Sequence, residues 1–211
     1  MSKSNFKKQG VLVGVRNLVF AKVATDDVSG HTYETDIKQA PDVIEIALTA
    51  QKTEDQLGAN DNPLFEILET NDGYEVSVIQ AAMGADKCAF LLGQTVDDNG
   101  AVVESARDNP PYVAMGFITA RSDGTDDYVW MYKGKFGPGD QTFHTKEQGT
   151  VNWQTPTITG KFGPRVHDGK IKIAINTGDE SAASVLPTFF DSVYEAVQAQ
   201  TQQQTQQSAG D

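Results

Sequence analysis

Apolar and polar residues alternate along most of the chain, a pattern of period two that is typical of β-strands. In residues 43–49, for example, Ile44, Ile46 and Leu48 lie on one face of the predicted strand. Further strands are predicted at residues 17–23, 64–70, 74–79, 112–118, 128–132, 157–162 and 170–175. About eight or nine strands with mostly short connections favour a mainly β fold, an antiparallel β-sandwich or barrel.

Short turn motifs separate several of these strands. Asn71-Asp72-Gly73 predicts a hairpin turn between residues 64–70 and 74–79, because Asp-Gly supplies the positive φ angles that a tight turn needs. Similar motifs predict turns at residues 97–100, 123–124 and 167–169. Two polar stretches, residues 49–63 and 137–156, are predicted to be long loops, which are uncommon unless they bind something or are disordered.

Two segments change to the spacing of a helix. Apolar residues recur with helical period over residues 81–92, and Gly93 is placed to end that helix, which would flank the sheet. Residues 184–197 predict a short amphipathic C-terminal helix, and the Gln-rich residues 198–207 predict a disordered tail. The predicted organisation is a basic N-terminal arm (1–13), a β domain (14–178) and a C-terminal extension (179–211).

Composition and charge argue against several functional classes. The chain has 211 residues and a formal net charge of −12, which argues against a dedicated nucleic-acid binder. Its single cysteine excludes an internal disulfide and a multi-cysteine metal site. The charge is uneven, since residues 1–22 contain five basic residues and no acidic one. A basic arm of this kind could meet an acidic surface, including one on another copy of the chain.

The sequence gives little indication of a catalytic site. His31, His144 and His167 lie in predicted loops without a nucleophile elbow, and Cys88 falls on the apolar stripe of the predicted helix. Asp97-Asp98-Asn99-Gly100 lacks the next ligand of a calcium loop and predicts a turn instead. We therefore expect no enzyme activity, no metal site and no cofactor.

Six short strings occur in a fixed order with consistent spacing between residues 10 and 178. They are GVRNLVFAKV at 14–23, GANDNPLFE at 58–66, LLG to DDNG at 91–100, PPYVAMGF at 110–117, YVWMYKGKF at 128–136 and QTPTITG at 154–160. Together they resemble the major tail tube proteins of long non-contractile-tailed bacteriophages (siphophages) of Gram-positive hosts. The chain departs from the family pattern at Leu64 and Phe65, where a tyrosine is usual, and in residues 179–211.

The resemblance implies a structural role rather than a catalytic one. It implies a virion protein, made in the host cytoplasm, whose hexameric rings stack into a hollow tail tube around a tape-measure protein. Tail terminator and distal tail or baseplate proteins would close the two ends, and DNA would pass through without specific binding or membrane contact. Contacts between subunits or rings are expected from the long loop and the basic arm, at Glu54, Asp55, Asn60, Asp61, Pro63, Phe65, Lys7, Lys8 and Arg16.

Three alternatives stay open at this point. One is the tube protein of a related secretion or tailocin machine. Another is a carbohydrate-binding β-sandwich module that uses Trp130, Tyr132 or Trp153 as a sugar platform. A small β-barrel hydrolase with His144 or His167 is the third, although no motif supports it.

Overall fold

The computed structural model describes residues 9–59, 62–139, 143–145, 149 and 153–196. Four of the predicted contact residues, Lys7, Lys8, Asn60 and Asp61, and the Gln-rich tail lie outside these residues. The described strands are β1 (Leu12–Asp27), β2 (Gly30–Tyr33), β3 (Lys38–Ala40), β4 (Val43–Ala59), β5 (Asn62–Gln80), β6 (Thr95–Val96), β7 (Val102–Val103), β8 (Val113–Arg121), β9 (Asp126–Gly137), β10 (Thr157–Phe162) and β11 (Lys172–Asn176). One α-helix, α1 (Ala85–Leu92), and two 3-10 helices (Glu180–Ser184 and Leu186–Thr188) complete the described elements.

Nine of the strands form one antiparallel sheet in the order β2-β1-β8-β9-β10-β5-β4. Strand β3 pairs with β1, and β11 shares an edge of β9 with β10. The sheet curls so that β4, at one end of this order, packs against β1 near the other end. The prediction of a mainly β, antiparallel fold with a sandwich-like or barrel-like sheet is therefore confirmed.

Both faces of the central strands are buried, and the alternation of the sequence decides which residue goes to which face. In β1, Leu18 and Phe20 point into the inner core, whereas Val19 and Ala21 point to the outer face. The inner core also contains Val76, Val78, Val113, Met115, Phe117, Val129, Met131, Phe136, Ile158 and Phe162, with Leu91 and Leu92 of α1 against it. The outer cluster consists of Val19, Ala21, Ala114, Trp130, Tyr132, Phe189 and Val193.

Helix α1 is confirmed, although it begins at Ala85 rather than Ala81. It ends at Gly93, which has the left-handed conformation at φ +68°. A Cβ atom at Gly93 would lie 2.7 Å from the carbonyl oxygen of Asn109, so a side chain has no room there. The turns predicted at residues 97–100 and 123–124 are also present, between β6 and β7 and between β8 and β9.

The predicted hairpin turn at Asn71-Asp72-Gly73 is wrong, because β5 runs through these residues without reversing. In the pairing with β4, Gln51 lies opposite Gly73 and Lys52 lies opposite Asn71, so Asp72 is an extra residue in a β-bulge. Gly73 has φ +128°, and a Cβ atom there would approach the carbonyl oxygen of Phe162 to 2.1 Å. Gly73 has a positive φ in this bulge, as it would in a tight turn, so the sequence motif does not distinguish the two.

The predicted loop over residues 49–63 is also wrong. Residues 43–59 and 62–80 form one long antiparallel hairpin, paired from Val43–Gln80 to Ala59–Asn62. The pattern gives no sign of a strand because the side chains of residues 49–57 are all exposed, so no alternation of buried and exposed positions is required there. Most of the second predicted loop, residues 137–156, lies outside the described residues.

The C-terminal α-helix predicted over residues 184–197 is replaced by two 3-10 helices followed by turns, up to Glu195 and Ala196. Pro187 lies in the first turn of the second 3-10 helix and has no backbone N–H to donate. The apolar spacing was nevertheless informative, because Phe189 and Val193 are buried against the sheet.

We expect Gly134→Ala to destabilise the domain by about 2 kcal/mol, since overpacking a tight core forces its neighbours out of place. A Cβ atom at Gly134 would lie 2.4 Å from the ring of Phe162, which is itself buried. Gly137→Ala in the same strand is the matched control, because a Cβ atom there meets nothing within 4 Å. Urea unfolding of both variants measures the difference, and equal stability of the two would contradict the packing described here.

Candidate interaction surface

The outer part of the β4–β5 hairpin extends from the sheet as an arm. Strand β10 pairs with β5 only from Tyr74 to Ile79, so β4 and β5 pair with each other alone beyond Gln51 and Gly73. Every side chain described at residues 51–57 and 66–72 is exposed. From Lys52 to Ala59 the arm spans about 23 Å at about 3.3 Å per residue. We call residues 52–71 the acidic arm.

Two kinds of side chain cover the acidic arm. Leu57, Ile67 and Leu68 are 58%, 53% and 67% exposed, which is a large apolar surface for two strands. In the sequence of the arm carboxylates dominate the charge, at Glu54, Asp55, Asp61, Glu66 and Glu69 against the single cation Lys52, with Asp72 at the base. An isolated two-stranded hairpin is marginally stable in water, so a partner that covers these side chains would stabilise the arm.

Pairing register divides the acidic arm into two faces. Glu54 lies directly opposite Glu69, and Asp55 lies opposite Leu68 on the other face. Directly opposed like charges are destabilising, and among the described side chains of the arm the one cation that offsets the Glu54–Glu69 pair is Lys52, through an ion pair with Glu69. The remaining hydrogen bonds stay within the hairpin, from Gln56 to Glu54 (2.5 Å) and from Thr53 to Asp72 (2.5 Å).

The structure brings together only part of the predicted contact set. Glu54 and Asp55 lie on opposite faces of the acidic arm, and the backbones of Pro63 and Phe65 lie near the start of β5. Arg16 lies elsewhere, in β1, where its guanidinium is 2.5 Å from a carboxylate oxygen of Asp126. No hydrogen bond or ion pair among the described residues joins Arg16 to the arm.

An apolar strand edge adjoins Arg16 and was not predicted as a contact surface. Strand β1 pairs with β8 along one edge, whereas β2 and β3 cover only residues 18–27 of its other edge. Val11, Leu12 and Val13 are 73%, 56% and 64% exposed. In the described part of the chain no strand pairs with the second edge of residues 12–16. Unpaired backbone groups beside apolar side chains form a site for strand addition by another chain.

Residues 179–196 cover the outer face of the sheet, and we call them the C-terminal clasp. The indole N–H of Trp130 donates to the carbonyl oxygen of Phe189 at 2.9 Å, and the hydroxyl of Tyr132 donates to that of Tyr194 at 3.2 Å. The ring of Phe189 is fully buried. These contacts seal a cluster of aromatic side chains that would otherwise face solvent.

The guanidinium of Arg165 fastens the end of the C-terminal clasp to the sheet. Arg165 is 2% exposed, donates to Asp168 at 2.7 and 3.0 Å and to Glu195 at 2.9 Å, and lies 4.0 Å from the ring centroid of Tyr132. Burial alone would raise the pKa of the Asp168 carboxyl, but hydrogen bonds from Arg165 and Lys170 outweigh it and hold that pKa well below its usual range.

Two further groups complete this ionic cluster. The hydroxyl of Tyr33 accepts a hydrogen bond from Arg165 at 3.1 Å, and burial raises its pKa to about 12. A ring nitrogen of His31 lies 3.0 Å from a Glu195 carboxylate oxygen. The cluster therefore joins β2, the 165–168 turn and the C-terminal clasp, which no sequence motif indicated.

A cleft of roughly 840 Å³ lies between α1, the start of β10 and the segment before it. Phe143 and Trp153 at its rim are 83% and 88% exposed. Of the three predicted sugar-platform aromatics, Trp130 and Tyr132 are fully buried, so they cannot stack on a sugar. Burial also raises the pKa of the Cys88 thiol, which lines the same cleft.

The described residues contain no group of three His, Cys, Asp or Glu side chains arranged to hold a metal ion. Among the described helices, none has the length and apolar character needed to cross a bilayer. No family model matches the chain, and no curated protein is significantly similar to it.

We expect Glu195→Gln to lower the free energy of unfolding by about 1 kcal/mol, because it removes the charge from the hydrogen bonds to Arg165. Asp191→Asn is the matched control, since Asp191 is an exposed carboxylate in the same clasp. The free energies come from urea unfolding, and limited proteolysis reports whether the clasp detaches. An equal loss in both variants would show that the ionic cluster does not hold the clasp.

Proposed function

We propose that this chain is a structural subunit that assembles with copies of itself into a hollow tube, as the major tail tube protein of a siphophage. The observation that carries the proposal is the acidic arm, a two-stranded extension whose apolar side chains have no cover in the described chain. A monomer gains nothing from exposing Leu57, Ile67 and Leu68. A subunit that inserts the arm against a neighbour would bury them.

The second edge of β1 supports the same proposal. Residues 12–16 offer unpaired backbone groups beside three exposed apolar residues, so a neighbouring copy could extend the sheet there. A contact between an arm and a different surface is head-to-tail rather than two-fold symmetric. Head-to-tail contacts close into rings when the rotation allows it, and they otherwise continue as helical filaments.

The proposal gives the subunit a structural role in the phage tail of the virion, without enzyme activity. Its partners would be other copies of the chain, a tape-measure protein in the lumen, and terminator and distal tail or baseplate proteins at the ends. A formal charge of −12 per subunit suits a conduit for DNA, because a negative lumen repels phosphates and lets the genome slide.

Two alternatives predict different observations. A tube of a secretion or tailocin machine would assemble in the same way, and the neighbouring genes would distinguish it, since sheath genes indicate a contractile device. One observation supports the alternative of a carbohydrate-binding module: Trp153 and Phe143 are exposed at the rim of the cleft. It predicts a monomer whose glycan binding is lost in Trp153→Ala.

Negative-stain electron microscopy of the full chain at high concentration, before and after overnight incubation, tests the proposal. We expect rings or tubes with a central hole for the natural sequence. Replacing residues 53–70 by a two-residue Asn-Gly turn should abolish assembly with little change in the thermal unfolding of the monomer, because the arm packs on nothing in the described chain.

Trp153→Ala serves as the control, since it removes an exposed aromatic far along the chain from the arm and should assemble normally. Small monodisperse particles alone for the natural sequence would overturn the proposal, and glycan binding that Trp153→Ala abolishes would then favour the binding module.

A further inference from the structure

Two lysines lie directly opposite each other on neighbouring strands. Lys135 of β9 and Lys161 of β10 are register partners, with side chains about 5 Å apart at their Cβ atoms. Within the described part of the chain neither lysine forms an ion pair, although Glu75 of β5 lies beside Lys161 in register. Lys135 donates instead to the side-chain oxygen of Asn109 at 3.2 Å. Opposed like charges cost the monomer stability, and Glu75 offsets this cost only on the Lys161 side.

Tyr112 lies beside these lysines and is 46% exposed. Its ring centroid is 4.5 Å from the ammonium of Lys135 and 4.8 Å from that of Lys133. Lys133 is already neutralised by Asp26 at 2.5 Å. We call Tyr112, Lys133, Lys135 and Lys161 the lysine patch. Lys135 and Lys161 are its two lysines without an ion pair in the described part of the chain, and Lys161 also has Glu75 as its register partner on β5.

The lysine patch is on the outer face of the sheet. Phe136 and Phe162, the neighbours of Lys135 and Lys161 in sequence, point into the inner core, so the lysines point outwards. The C-terminal clasp covers Trp130 and Tyr132 farther along β9. Lys161 and Tyr112 are exposed and Lys135 is half-buried, whereas the side chain of Lys133 is mostly covered. The patch is therefore open to a partner.

The acidic arm carries the complementary arrangement. Glu54 and Glu69 are also direct register partners on one face of two antiparallel strands, at the same Cβ separation of about 5 Å. Two opposed carboxylates and two opposed ammonium groups, each pair on directly opposed positions of neighbouring strands, can form two ion pairs at once. Each pair would relieve the like-charge repulsion of the other.

The carboxylates of the arm do not pair with the lysine patch of the same chain. Its described hydrogen bonds and its ion pair all stay within the β4–β5 hairpin, and it extends away from the last residue of β5 that pairs with β10. The partner must therefore come from another molecule. An acidic hairpin that fits this spacing is present on every other copy of the chain.

We propose that the Glu54–Glu69 face of the acidic arm of one copy docks on the lysine patch of a second copy. The inference rests on the proposed function, since it names the receptor surface for the arm in self-assembly. Rim charges of complementary sign set which surfaces meet and in which register. The apolar residues at the end of the arm would then reach past the patch onto the neighbouring subunit.

Charge reversal in the full chain tests the inference. Glu54→Lys/Glu69→Lys and Lys135→Glu/Lys161→Glu should each raise the protein concentration needed for assembly at least about tenfold, because each creates like-charged contact surfaces. The variant with all four changes, and an equimolar mixture of the two double variants, should recover assembly. Sedimentation velocity and negative-stain microscopy measure the assembled fraction.

Asp98→Lys/Glu104→Lys is the matched control, since both residues are exposed and lie outside the two surfaces. Thermal unfolding confirms that each variant remains folded. Normal assembly of the natural sequence without rescue in the four-change variant would overturn the docking and leave the proposed function intact. Absence of assembly in the natural sequence would overturn both. Unchanged assembly of Lys135→Glu/Lys161→Glu with loss of binding to duplex DNA would assign the patch to nucleic acid instead.

Discussion

Strand β9 is the element on which the rest of the domain depends, because both of its edges and both of its faces are used. Along one edge it pairs with β8, and along the other it pairs with β11 and then β10. Met131 points into the inner core while Trp130 points to the outer cluster. The strand therefore joins the two parts of the curled sheet and anchors the C-terminal clasp.

The two faces of the sheet are completed in different ways. The inner face closes on itself through the curl of the sheet and through α1. The outer face is covered at Trp130 and Tyr132 by the C-terminal clasp, which Arg165 fastens through Glu195. The clasp has little regular structure of its own, so its position depends on specific hydrogen bonds and on the burial of Phe189.

Two other surfaces of the described chain, the acidic arm and the lysine patch, have no such cover. The acidic arm exposes apolar residues and opposes Glu54 to Glu69, and the lysine patch opposes Lys135 to Lys161. Each arrangement costs stability in an isolated subunit. Contact between copies of the chain would offset both costs, which is why the arm and the patch are proposed to meet.

Local pattern by itself determined most of the central strands, helix α1 and the class of fold. Alternation in residues 157–162 dictates which side chains face inwards, whereas in residues 43–49 a register shift beside Val43 leaves Ile44 exposed and turns Val43 to the core. Gly93 can end α1 because no other residue tolerates its backbone conformation so readily. These features depend on neighbours in sequence. The tertiary structure decided the features that depend on residues distant in sequence. Asp72-Gly73 forms a bulge rather than a turn because Phe162 lies against it. Residues 49–63 pair as an arm although their pattern shows no buried face. The contact between Arg165 and Glu195 and the opposition of Lys135 to Lys161 arise only when the fold brings separate strands together, so no periodicity in the chain could indicate them.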